Sequence, residues 1–131
     1  MKLENQVCSL EHAKKLKELG VKQENIWWWV ETKDNSYKSF VMNEGNLFSY
    51  EKELHNFYSA FTVAELGEML PPYITDNGDF PSLDILRTKD SWIFNYRVGC
   101  AKARIRIEDE SLSDAMAKML IWLIENKKVE V

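Results

Sequence analysis

Residues 111–126 read Ser-Leu-Ser-Asp-Ala-Met-Ala-Lys-Met-Leu-Ile-Trp-Leu-Ile-Glu-Asn, and the fold turns on how that stretch distributes its apolar side chains. At 100° per residue Leu112, Ala115, Met116, Met119, Leu120, Trp122 and Leu123 fill one half of the helical wheel. Ala117, Ile121 and Ile124 widen the arc, and Asp114, Lys118 and Glu125 leave a narrow polar stripe. A helix apolar around most of its circumference must be covered on nearly every side. The expected cover is a sheet on one side and further structure on the other. Ser111 stands as N-cap with Asp114 at N3, and Lys127 and Lys128 suit the negative end of the helix dipole.

Working outward, the segment before this helix holds three expected strands: Leu83–Thr88, Trp92–Val98 and Lys102–Glu108. In the second, Trp92, Phe94, Tyr96 and Val98 alternate with Ile93, Asn95 and Arg97. In the third, Ala103, Ile105 and Ile107 alternate with Lys102, Arg104 and Arg106. Such period-2 patterning fits antiparallel strands with one buried and one wetter face. Thr62-Val63-Ala64-Glu65 is a capping box that opens a short helix over Val63–Leu70, stopped by Pro71-Pro72.

Nearer the start, Ser9 and Gly20 bracket a helix over Leu10–Leu19, Ser9 as an N-cap hydroxyl and Gly20 as the left-handed C′ residue. Ile26–Glu31 and Tyr37–Met42 form a hairpin across Lys33-Asp34-Asn35-Ser36. On the first strand Trp28 is expected in the core, with Trp27 and Trp29 sharing the opposite face. Residues 47–61 carry Leu47, Tyr50, Leu54, Phe57 and Phe61 at roughly helical spacing, read as a helical turn inside a packed loop. The whole chain is thus expected to be one α+β domain spanning 1–131. Its antiparallel sheet has about five strands with helices mostly on one face, in the order α-β-β-α-β-β-β-α.

Composition narrows the class further. With 45% hydrophobic and 29% charged residues the chain of 131 is an ordinary globular domain, not a disordered or collagenous one. A net charge of −4 argues against gripping duplex DNA with the whole surface. Cys8 and Cys100 form no C-x-x-C and suit a reducing compartment. No secretory h-region and no apolar run of about 18 residues occurs, so the protein is expected to be cytoplasmic with no membrane partner.

Chemistry-bearing motifs are few. His12 and His55 fall in different elements and have no ligand-spaced companions, so no metal is expected. Cys8, just ahead of the first helix, is the thiol whose pKa a helix dipole could lower, although a small buried thiol is the plainer reading. Asp76-Asn77-Gly78-Asp79 superficially resembles a calcium loop, but the twelfth position is Arg87, where a carboxylate is required. Glu108-Asp109-Glu110 complements the dipole of the last helix. No G-x-G-x-x-G, P-loop or G-x-S-x-G is present. No catalytic residues and no cofactor are therefore expected.

Two features remain as binding candidates. Trp27 and Trp29 are either buried beneath helices or form an exposed patch for a protein partner. All four arginines lie between Arg87 and Arg106. Arg97, Lys102, Arg104 and Arg106 beside aromatic strand residues form a candidate single-stranded nucleic-acid contact.

Three segments together, VCSLEHAKKLKELGVKQENIWWWVE (7–31), FTVAELGEMLP (61–71) and SLSDAMAKMLIWLIENK (111–127), resemble a group of small uncharacterised proteins encoded in phages and prophages of gut bacteria. The resemblance implies a phage or mobile-element origin and carries no activity with it. The expected role is a non-catalytic, phage-derived accessory protein that binds a protein partner or itself. A homodimer would help to cover the last helix. A single-strand nucleic-acid binder and an enzyme with an unrecognised site are the alternatives.

Overall fold

Local sequence rules place the helices, and a computed structural model describes residues 2–131. Helix α1 spans Leu10–Glu18. It ends at Gly20, φ +91°, with the Gly20 and Val21 N–H groups donating to Lys17 O and Leu16 O, the paired bonds that close a left-handed helix end. Helix α2 spans Val63–Met69 and opens with the expected box: the Glu65 N–H donates to Thr62 Oγ1 at 3.3 Å and the Thr62 N–H to Glu65 Oε1 at 3.0 Å. Helix α3 spans Leu112–Glu125, where Ser111 accepts from the Asp114 N–H.

The strands are β1 (Trp27–Thr32), β2 (Phe40–Asn43), β3 (His55–Ser59), β4 (Ser82–Arg87), β5 (Trp92–Arg97) and β6 (Ile105–Asp109). They form two antiparallel three-stranded sheets, ordered β2-β1-β3 and β4-β5-β6. The α+β class holds, but one five-stranded sheet does not. The element order is α-β-β-β-α-β-β-β-α, apart from two short 3₁₀ turns.

The added strand is β3, inside the stretch read as a helical turn. Residues 44–49 do make a 3₁₀ turn, which supplies the helical spacing of Leu47 and Tyr50. From His55 onward the chain pairs with β1 instead, Val30 opposite Phe57 and Trp29 opposite Tyr58. Three-residue spacings that straddle a turn and a strand counterfeit a helix when read as one segment.

Helix α3 lies at the centre. It packs on α1, α2, β5 and β6, and Ala115, Met116, Ala117, Met119, Leu120 and Leu123 are buried among Leu16, Phe61, Leu66, Phe94 and Tyr96. Leu112, Ile121, Trp122 and Ile124 of the same helix stay partly exposed. Its polar stripe reaches three neighbours: Asp114 to His12, Lys118 to Asp109 and Glu125 to Lys15.

The Trp triplet sits the other way round from expectation. Trp29 is 9% exposed in the main core, its indole N–H donating to Cys8 O at 2.9 Å, with Trp27, Val41 and Tyr58 packed beside it. Trp28 shares the opposite face with Val30, Phe40, Met42 and Phe57. That face is apolar too: the Tyr50 ring lies tilted beside Phe40 (5.6 Å) and edge-on to His55 (5.3 Å), which adjoins Phe57 (6.4 Å). Alternation cannot tell which of two apolar faces meets the larger core.

Candidate functional site

The segment before α1 organises a concave part of the surface. Cys8 donates its N–H to Phe61 O at 2.9 Å, Val7 bridges Thr62, and the buried Ser113 hydroxyl donates to Val7 O at 2.9 Å. These bonds draw the first turns of all three helices to one place. Between them lies an open groove of about 1020 Å³, walled by Leu3, Leu10, Trp27, Val63, Trp92 and Leu112. Glu4, Glu110 and Arg87 stand on its rim.

At one end of the groove a serine, a histidine and an aspartate meet. Ser9 Oγ is 2.7 Å from His12 Nδ1, and Asp114 Oδ1 is 3.0 Å from the same nitrogen. The Ser9 N–H also donates to Asp114 Oδ1, at 2.7 Å. A nucleophilic serine needs the imidazole nitrogen opposite the one its carboxylate holds. Here hydroxyl and carboxylate share Nδ1, so the group is a clip that fastens the start of α1 to α3. Burial raises the Asp114 carboxyl, but the bonds from His12 and Ser9 outweigh it and leave the group below the usual carboxylate range. Ser9 thus occupies the N-cap without capping: its side chain bonds His12 and not a backbone N–H of the first turn.

The remaining candidates are dispersed. Burial pushes the Cys8 thiol up to about 12, the reverse of activation by the helix dipole. Cys100 is exposed in the turn after β5, and His55 lies on the outer aromatic face with Nδ1 bonded to Glu51 O. Among the described residues no three His, Cys, Asp or Glu side chains are grouped to hold a metal ion, and no helix is long and apolar enough to cross a membrane.

Of the proposed partner patch, Trp29 is withdrawn into the core while Trp27 is half-buried on the groove wall. The basic stripe is separated from its aromatics. Phe94 and Tyr96 point into the core with Trp92 beside them, whereas Arg97 and Arg106 lie on the other face, Arg106 opposite Asn95. Arg97 pairs with Asp84 (2.9 Å) and Arg106 with Glu108 (3.0 Å). Arg104 forks to Asp76 (2.8 Å) and Asp79 (2.7 Å), closing the Asp76–Asp79 turn. Lys102 is exposed on the loop before β6. Among the described residues, Arg97, Arg104 and Arg106 are thus engaged by carboxylates, away from the face that carries Phe94 and Tyr96.

Sequence reasoning passed over Arg87 and Trp92 as groove residues. The Arg87 guanidinium lies 4.7 Å from the Trp92 ring centroid and donates to Ser91 O at 3.3 Å. The register of β4 against β5, Arg87 opposite Trp92, creates that contact. The Asp114–His12 clip joins residues 102 apart in the chain, which no local pattern reports. Comparison with family models, with curated proteins and with solved structures finds no match.

Proposed function

We propose that this chain is a non-catalytic interaction protein, a phage-derived accessory factor of the bacterial cytoplasm, and that the groove at the helix starts is where its protein partner binds. The observation that carries the reading is the pair of half-buried indoles, Trp27 and Trp92, on the wall of this groove, beside a Ser–His–Asp group wired for fastening rather than for proton transfer. Indoles that keep part of their surface in a groove are typical anchors for a partner. The phage origin is supported by the resemblance of residues 7–31, 61–71 and 111–127 alone.

Ala64 is exposed on the groove wall at the start of α2, so Ala64→Arg would obstruct the groove without entering the core. Immobilised wild-type protein, Ala64→Arg and Trp27→Ala would be exposed to host lysate and the retained proteins quantified by mass spectrometry. Folding of each variant is checked by its thermal melt. A protein kept by the wild type and depleted at least tenfold by both variants supports the reading. Retention that is unchanged in folded Ala64→Arg overturns it.

A further inference from the structure

Strand β4 has an unfilled edge that runs into the groove. The Thr88 N–H donates to Ser91 O across the hairpin, while the Leu83 N–H turns outward to Pro72 O at 2.8 Å. Because backbone direction alternates along a strand, the N–H and C=O groups of Ile85 and Arg87 also face away from β5. The segment 72–74 occupies the edge only at its start, through Ile74 N–H to Pro81 O and the bridge of Tyr73 to Ser82. Ile85 is 47% exposed and Leu86 43%. An edge of this kind is a template for an added strand.

Charge says what that strand carries. Arg97, Arg104 and Arg106 are each paired with carboxylates, whereas Arg87 has the Ser91 carbonyl and the Trp92 ring for company. A guanidinium has five N–H donors in a planar fork suited to a carboxylate. We propose that the β4 edge takes up an extended segment of a partner protein as a further antiparallel strand, with an acidic side chain facing Arg87 and an apolar one, two residues away, facing Ile85. This assignment rests on the groove being the contact surface and adds the chemistry of its occupant. A second copy of β4 fits less well. Centred on Leu86 it sets Ile85 against Arg87, and centred on Ile85 it sets Arg87 against Leu83, whose N–H is already engaged. Neither gives Arg87 a carboxylate.

The test uses the full chain, labelled for amide NMR, and a capped nine-residue peptide with threonine at odd positions and isoleucine and glutamate alternating at even ones. A control peptide replaces glutamate by lysine. The glutamate peptide is expected to shift the amides of Ile85 and Arg87 and to bind about tenfold more tightly than the lysine peptide. Arg87→Glu, an exposed substitution that leaves the core alone, should reverse that order. No shift at Ile85 or Arg87 with millimolar peptide overturns strand addition, and equal binding of both peptides overturns the acidic preference. Shifts that track protein concentration alone, with a doubled sedimentation mass, overturn it in favour of self-pairing. Loss of lysate capture in Ala64→Arg alongside silent peptides would leave the groove reading standing and remove only the strand.

Discussion

Replacing Asp114 by alanine tests the central joint of the molecule. One carboxylate oxygen receives the Ser9 N–H at 2.7 Å and meets His12 Nδ1 at 3.0 Å, while its own residue sits in the first turn of α3. The carboxylate therefore serves the positive ends of two helices at once. Bonds to a charged acceptor contribute about 1.5–3 kcal/mol each when shielded from water. Because the side chain is 21% exposed and a single oxygen takes both bonds, the lower end applies, for a loss of about 2–3 kcal/mol. For a chain of this size that lowers Tm by roughly 6–15 °C. Asp114→Asn keeps an acceptor and drops the charge, so about half of the loss is expected. The folded carboxyl titrates below its ordinary 3.8, hence its contribution is complete above that value and disappears as pH falls through the lower, folded one. Urea unfolding of the wild type and of Asp114→Ala across pH should show a gap that is constant above about pH 5 and closes below pH 3.8. A gap under about 0.5 kcal/mol near neutrality, or one that persists undiminished to about pH 2, would refute the clip.

Further expectations concern single positions. Lys127 takes a left-handed conformation at φ +57° where α3 ends, so Lys127→Gly should stabilise the chain by about 1 kcal/mol in a thermal melt; an unchanged or lower Tm contradicts the strain. With Cys8 buried at a pKa of about 12 and Cys100 exposed, an aromatic disulfide reagent should modify one thiol quickly in the native protein and the second only after unfolding. Two fast thiols would mean that the start of α1 opens readily. Tyr96 is fully buried and its hydroxyl donates to Pro71 O at 2.7 Å, so Tyr96→Phe should lower the urea midpoint by the equivalent of about 1–1.5 kcal/mol with an unchanged slope.

The readings that survived are those settled within a turn or two of chain. Thr62 and Glu65 are three residues apart and make their capping box. Gly20 is required because the end of α1 needs a positive φ, and α3 is buried because its apolar arc offers no other outcome. The starts of α2 and α3, the stop of α1 and one-sided strands follow from bonds and periods that reach five residues at most.

Tertiary structure alone decided the rest, since each remaining feature depends on which distant surface arrives first. Strand β3 is a strand only because β1 offers it an edge. Trp29 entered the core in place of Trp28 because both faces of β1 are apolar and the carbonyl of Cys8 waits on one of them. Arg97 and Arg104 met acids brought by another strand and a loop, Arg106 met Glu108 on its own strand, and Arg87 lies where the edge of β4 runs beyond the segment 72–74. The β1–β3 pairing, the Arg104 ion pairs and the Asp114–His12 clip join residues tens of positions apart, and those distances are written in the packing and not in the local order of side chains.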